Sequence, residues 1–569
     1  MTTVLEHFPE EFKPREIQKE ILKGIEEKIK SGYKTIILSA PTGVGKSLIA
    51  ATLARYFGSS FVVTASKQLQ DQYSKDLKFL MPVKGKSNFA CLKLMDQESI
   101  LKSDTRSAIQ KGLTCEKGLC EETIMQNGKK VKEICQFKPK LGEPQGIPKE
   151  SCYYYEQKYR ALTSPHSIWN YAAYFQLMRF NRKAYEEYVK KPIAIFDEAH
   201  KVEDQIIQFI GVDIYNTYFT ECGIDAKKFD DLGDIDTIAK LLEGLAKSYA
   251  KQILDLQESR AFMLNPDYAT LAKLESRYEK MSNSYVEINS NKNNFVVNDP
   301  FKDERGNFRS VSIKPLDISK YVKAFFDIEN QVFMSATIDK DSFCENTGLD
   351  PSKVGFVDTP RSPFPPDKRR INFLNTRKLS YSSSRDDELA VIKKIDEIMS
   401  QHGTERGLIL TSSEKKCLDI KNNLSEKNRQ RIRICHSRNE NGMTQDEVLQ
   451  EHSFDEDGVL LSSSLWEGVD LKDDLSRFQI IAKVPYPNLS EKRTKTKMQK
   501  FPLWYKSQTL TKLLQGFGRS IRSEDDWAVT YVLDSAASDL LLQSKSMIPK
   551  SYQDVLGFPS YESSMKSTL

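Results

Sequence analysis

The chain has 569 residues, too many for a single hydrophobic core, so about two to four domains are expected. Its 29% charged and 39% hydrophobic residues are those of an ordinary globular protein, and no run approaches the ~18 apolar residues of a membrane span. A formal charge of +5 spread over this length permits a nucleic-acid partner without demanding one. The opening MTTVLEHFPEEFKPREIQ has no apolar core of signal type, so an intracellular protein with reduced thiols and no membrane partner is expected.

The first apolar run, TIILSA (35–40), leads into PTGVGKS (41–47). A buried strand entering a glycine-bearing turn and then a helix, SLIAATLARYF, is the layout of a phosphate loop. Gly43 and Gly45 permit the tight path, with Pro41, Thr42 and Val44 completing the loop. Lys46 can reach β and γ phosphates, and Ser47 can ligate Mg2+. Ala40 stands where the general pattern has glycine.

FVVTAS (61–66) reads as the next strand, and more than a hundred residues then pass before IAIFDEAH (193–200). Compact α/β units need no such connection, so an inserted domain is expected there. It holds five of the nine cysteines: Cys91, Cys115, Cys120, Cys135 and Cys152, the last opening CYYYEQK. Clustered thiols in a reducing compartment point to metal. Zinc favours close pairs, and only Cys115 and Cys120 show that spacing; wide gaps between thiolates suit an iron–sulfur site better. Tyr153, Tyr154 and Tyr155 read first as packing for a small domain, with base stacking the sharper alternative.

At the end of IAIF, Asp197 is placed to hold Mg2+ and Glu198 to orient or deprotonate water, with His200 linking the site to its neighbours. A second long gap follows. Ile235, Ile238, Leu242, Leu245 and Tyr249, then Leu271, Leu274, Tyr278, Met281 and Tyr285, recur at helical spacing and predict a helical hairpin or small bundle. QVFMSAT (331–337) returns to the first set of strands. GLILTS (407–412), GVLLSSS (458–464), FQIIAKVP (478–485) and WAVTYVLD (527–534) form a second set, giving α/β architecture with two sheets. Between the last two runs, Lys492, Arg493, Lys495, Lys497 and Lys500 stand near Trp504 and Tyr505. That mixture suits a single-strand track or a solvated basic loop. In QGFGRSIR, Gln515, Arg519 and Arg522 share one helical face, and the two arginines can neutralise charge developing on a γ-phosphate.

In this order PTGVGKS, DEAH, MSAT (334–337), WEGVD (466–470) and QGFGRSIR resemble the motifs of superfamily 2 helicases. The cysteine-bearing insertion narrows the resemblance to the iron–sulfur helicases related to XPD and DinG. It implies two RecA-like motor domains, the first made of 1–85, 155–204 and 306–345 and the second of 346–569. An iron–sulfur insertion over 86–154 and an arch-like helical insertion over 205–305 would interrupt the first. By resemblance, Arg15 and Gln18 belong to the adenine-side motif, and Thr64, Leu69 and Gln72 to a motif on the nucleic-acid backbone. Ser335 and Thr337 would couple hydrolysis to domain movement, while Glu467, Gly468 and Asp470 would shape the ATP cleft. Cys91, Cys120, Cys135 and Cys152 are expected to hold a 4Fe–4S cluster, Cys120 being preferred to Cys115 because it shortens the loop to Cys135. The implied activity is ATP-driven translocation on single-stranded DNA, 5′ to 3′, with unwinding of junctions in DNA repair by a monomer, alone or with repair proteins. The adenine-side motif begins near residue 12, so the N-terminal nuclease of some DinG relatives is not expected. A DEAH-type RNA helicase, a translocase with zinc in place of the cluster, and an inactive scaffold are the rival readings.

Overall fold

The computed structural model describes residues 3–100, 104–126, 129–141, 151–224, 232–264, 267–380, 382–436, 442–469, 471–521 and 525–556. The expected Asp470 and Arg522 lie outside the described residues.

Two parallel sheets organise the chain. In the first, seven strands run side by side in the order Val354–Asp358, Thr35–Ser39, Asn330–Ser335, Ile193–Phe196, Ser60–Thr64, His166–Asn170 and Met81–Val83. The second has six, ordered Ile371–Arg377, Val529–Asp534, Phe478–Ile481, Gly407–Leu410, Val459–Ser462 and Ile432–Ile434. Helices cover both faces of each sheet, so the central strands are buried on both sides and read as unbroken apolar runs. The neighbouring strands Thr35–Ser39, Asn330–Ser335 and Ile193–Phe196 end in the phosphate loop, in Ser335–Thr337 and in DEAH respectively. Three motifs far apart in sequence thus share one carboxyl edge, the edge at which parallel sheets hold their ligands.

The expected domain limits shift at two places. Val354–Asp358 pairs in register with Thr35–Ser39, so the first motor unit continues past residue 346. Phe308–Pro315 pairs with Val212–Tyr215 and Phe295–Val297, which places it in the root of the second insertion and not in the motor sheet. The chain crosses between the two sheets once, over residues 359–370, a stretch carrying Pro360, Pro363, Pro365 and Pro366.

Helices Ile235–Glu258 and Tyr268–Ser290 form the expected hairpin. Ile238, Leu242, Leu245, Tyr249, Leu271 and Met281 are buried in it, whereas Tyr278 is exposed. Its far end rests on the cysteine-bearing insertion: Leu119 packs with Leu271 and Ala272, and the Lys93 ammonium lies 3.6 Å from the Tyr268 ring centroid. At its base, Glu287 accepts from Arg179 at 2.5 Å and from Tyr321 Oη at 2.7 Å. Among the described residues no helix is long and apolar enough to cross a membrane.

Behind the shared edge, Phe333 is fully buried, stacked on Phe196 at 4.9 Å and packed edge-on against Phe326 at 5.4 Å. Phe333→Ala should destabilise the first motor unit by about 3–5 kcal/mol, read as a lowered first transition in thermal unfolding.

Candidate nucleotide site between two sheets

The phosphate loop folds as its glycines require. Gly43 and Gly45 have φ of 85° and 79°, and a Cβ on Gly45 would lie 2.5 Å from Gln18 Nε2. Gln18 is close because it clamps the loop. Its Nε2 donates to the Val44 carbonyl at 3.0 Å, and Arg15 Nη2 donates to the Gly43 carbonyl at 2.7 Å. Arg15 and Gln18 therefore fix the loop's backbone. Lys46 opens helix Lys46–Tyr56, and its ammonium reaches back to the Ala40 carbonyl at 3.3 Å; Ser47 is in the same first turn.

Asp197 is buried at the end of its strand and held from both ends. Tyr73 Oη donates to Asp197 Oδ2 at 2.7 Å, Tyr171 Oη to its carbonyl at 3.1 Å, and the Glu198 amide to Oδ1 at 2.9 Å. Glu198 itself has φ 52°, ψ 46°, a left-handed conformation that costs a side-chain-bearing residue about 1–3 kcal/mol. Strain at this residue is bought by the bonds around it. Burial first, and then the Glu198 carboxylate, raise Asp197 above the usual range, with Lys46 opposing. Burial would raise Glu198 as well, but Lys46, His200, Lys201 and Arg519 together outweigh it and hold the carboxyl low. Glu198 is thus an anion in a half-enclosed site, the form that can align or accept a proton from water.

His200 is the junction. Gln515 Nε2 lies 2.9 Å from its Nε2, while its Nδ1 is 2.9 Å from Ser335 Oγ and 3.3 Å from Glu198. Gln515 also donates to Thr337 Oγ1 at 3.1 Å. Glu467 lies 3.5 Å from His200 Nε2 and pairs with Lys201 at 2.9 Å; these two partners hold its carboxyl low against the opposing effect of burial. Gly468 takes φ 82°. Arg519 Nη1 donates to the Val469 carbonyl at 2.9 Å, within the influence of Glu198. The DEAH, MSAT, WEGVD and QGFGRSIR segments therefore meet around one imidazole, two from each sheet.

Other expected sites fare differently. Thr64 is buried, its hydroxyl on the Ser66 carbonyl, while Gln72 is exposed. Arg493, Lys497 and Trp504 are not free for a nucleic-acid track: all three are buried against Glu203, a partner some 290 residues away that local sequence does not reveal. Lys492, Lys495 and Lys500 remain exposed, and Tyr505 stacks on Tyr486. Sequence reading also missed Tyr73. It sits four residues beyond Leu69 on helix Lys67–Asp76, a spacing that marks a buried position without disclosing Asp197 behind it.

All five clustered cysteines gather in one small core with Phe137, Tyr154 and Tyr155. Backbone bonds fix them: the amides of Cys91, Cys115, Cys135 and Cys152 donate to the carbonyls of Leu113, Phe89, Cys120 and Phe137. Cys115 Sγ lies 3.8 Å from Cys152 Sγ and 3.3 Å from the Ala90 carbonyl. Interaction with the Cys115 thiol is the first cause that holds Cys91 and Cys152 below the usual thiol range. Burial, the first cause, raises Cys120, which interacts with Cys91 and Cys152, and Cys135, which interacts with Cys91 and Cys120. Cys91 Sγ packs directly on Gly118, where a Cβ would stand 2.3 Å from it. Among the described residues no three His, Cys, Asp or Glu side chains stand in a ligating array. Tyr154 and Tyr155 pack inside this core and Tyr153 is exposed, in line with the packing reading for two of the three.

Tyr73→Phe keeps the ring and removes the bond to Asp197. The Mg2+ concentration for half-maximal ATP hydrolysis should rise about 10–100-fold, measured by titrating Mg2+ at saturating ATP.

Comparison with known proteins agrees with this geometry. Residues 395–554 match the family model described as "Helicase C-terminal domain", and residues 11–223 match "Type III restriction enzyme, res subunit". The ATP-dependent DNA helicase YoaA of Haemophilus influenzae is 22% identical over 92% of this chain and 91% of its own length. YoaA of Escherichia coli is 22% identical over 92% of each. Among solved structures, an apo XPD superposes with a TM-score of 0.56 at 15% identity, covering 93% of this chain and 98% of that one. Xpd4 of S. tokodaii gives 0.51 at 14% identity, with the same coverage. At such identities these likenesses establish the fold, two RecA-like domains. With the ordered motifs, the two family matches and the full-length relatives, they support an XPD/DinG-like superfamily 2 helicase.

Proposed function

We propose that the protein is an ATP-dependent DNA helicase that translocates on single-stranded DNA and unwinds duplexes. The observation that carries this reading is the contact of Gln515, from the second sheet, with His200 and Thr337 of the first. An ATPase that merely hydrolysed nucleotide would not need its site divided between two bodies; a motor does, because closing and opening then accompany each turnover. The names of both bacterial relatives support DNA as the track.

Within the site the residues divide the work. Arg15 and Gln18 hold the loop, and Gly43, Val44 and Gly45 present it to the phosphates. Lys46 neutralises the β and γ oxygens, Glu198 takes up or aligns the water, and Arg519, with Arg522, balances charge on the departing phosphoryl. Magnesium would be held by Ser47 and Asp197, where it would supply positive charge to the phosphate oxygens. His200 reports occupancy of this site to Gln515.

The thiol core fits an iron–sulfur group in its donor chemistry, five cysteines gathered in one small core. Cys115 and Cys152, 3.8 Å apart, together with Cys91 beside Cys115, would provide three ligands. Cys120, which interacts with two of them, is the better fourth. This differs from the sequence expectation, in which Cys115 was the spare thiol; here Cys135 is. When bound, a 4Fe–4S group would cross-link a segment too small to bury much core of its own. Polarity from 5′ to 3′, work at junctions in DNA repair, an intracellular monomer and contact with repair proteins follow from the family resemblance.

ATP turnover by the purified chain should rise with single-stranded DNA. Lys46→Ala should lower it by about 100-fold or more; normal turnover in that variant, or RNA stimulating better than DNA, would displace the assignment. Protein purified without oxygen should hold four irons and four acid-labile sulfides per chain, in keeping with a 4Fe–4S cluster. Cys115→Ser should lose them and Cys135→Ser keep them. One zinc and no sulfide would instead select the zinc reading.

A further inference from the structure

Glu203 lies one residue inside helix Val202–Ile210, which begins directly after DEAH, and is 3% exposed. Four donors from two domains converge on its carboxylate. Oε1 accepts from Arg493 Nη2 at 2.7 Å and from Lys497 Nζ; Oε2 accepts from Asn346 Nδ2 at 2.8 Å and from Trp504 Nε1 at 2.6 Å. Asn346 belongs to the first motor unit and also accepts from Lys497 at 2.6 Å. Arg493 and Lys497 lie on helix Lys492–Lys500, and Trp504 is in the first turn of the next helix, Pro502–Phe517. Burial would raise the Glu203 carboxyl, but Lys497 and Arg493 overcome it and hold it at about 2.

The same cationic helix also grips the root of the arch. Arg493 Nε donates to the Pro315 carbonyl at 2.7 Å and the Arg493 amide to Asn298 Oδ1 at 3.1 Å, while Asn298 Nδ2 donates to Glu491 at 2.9 Å. Motor domain, arch root and second motor domain are thus joined at one buried carboxylate. Buried ion clusters add little net stability, because desolvation offsets attraction; they do fix one arrangement, because a half-slipped partner leaves a bare charge.

That arrangement bears on the nucleotide site. Helix Pro502–Phe517 carries Trp504 near its start and Gln515 near its end, about three turns apart, so the two move as one body. One end reads His200 and Thr337; the other is bolted to Glu203 and, through Arg493, to the arch. We propose that Glu203 is a positioning residue that transmits nucleotide-driven movement of this helix to the arch, an inference that rests on the helicase reading. A merely structural ion cluster would hold the fold without setting how much unwinding each ATP yields.

The test uses the full chain, with Glu203→Gln compared to wild type for ATP turnover on single-stranded DNA and for base pairs separated per ATP on a forked duplex. In the variant the KM for ATP should stay within about twofold while base pairs per ATP fall about tenfold or more. An unchanged ratio, or turnover and unwinding falling in parallel, would overturn the proposal. Should Glu203→Gln not fold, Trp504→Phe, which removes one donor and keeps an aromatic ring, is judged by the same ratio. Fluorophores at the exposed Tyr278 of the arch and the exposed Leu418 of the second motor domain give a second readout. A nonhydrolysable ATP analogue should change their separation in wild type and not in Glu203→Gln. No change in wild type, or an equal change in both, also overturns it. A wild type that shows the change yet separates no strands would fail the helicase reading and leave the joint standing.

Discussion

The structure turns on a single imidazole. His200 has two ring nitrogens, and each serves a different body: Nδ1 faces Ser335 and Glu198 on the first sheet, Nε2 faces Gln515 on the second. The ring can meet both partners only where the sheets stand in one relation to each other. The surrounding elements follow from that requirement. Three neighbouring strands deliver their loops to one edge, Tyr73 and Tyr171 hold Asp197 in place, and Glu198 accepts a strained backbone so that its carboxylate faces the cleft.

Division of the site has a cost in charge. Lys46, Lys201 and Arg519 are drawn toward Glu198 and Glu467 from both sides of the cleft. Phosphate would compete for the same cations, so nucleotide arrival must redistribute contacts already made across the interface. Coupling of chemistry to movement then requires no separate device at the cleft, since the groups that meet the phosphate are those that hold the domains together. The Glu203 cluster differs: its charges are sealed away and paired among themselves, so it carries motion without competing for substrate.

Much of this was legible in the sequence because buried parallel strands write themselves as short apolar runs, and all eight runs read as strands are strands. What was missed has physical reasons. Ile371–Arg377 and Met81–Val83 are edge strands, the former alternating between half-exposed and exposed positions, so neither forms an apolar run. Motif residues were legible where spacing dictates chemistry, as in Lys46, Asp197 and Gln515. They were misread where a charge declares itself but its partner does not: Arg493 and Lys497 look like a phosphate track until Glu203 is seen. The five thiols announced a shared centre, but which of them touch depends on backbone bonds such as Cys115 to Phe89 that no spacing encodes.

The crossing between the sheets has a mechanical consequence. Residues 359–370 can span at most about 40 Å when extended, and their prolines confine the backbone to few conformations. Such a tether behaves as a strut, resisting compression and torsion instead of paying out slack. Phe364, midway along it, stands where a side chain on Gly43 would have to go. The strut therefore bears on the nucleotide loop itself, and any torque that turns one half of the molecule against the other is felt first at the place where phosphate binds.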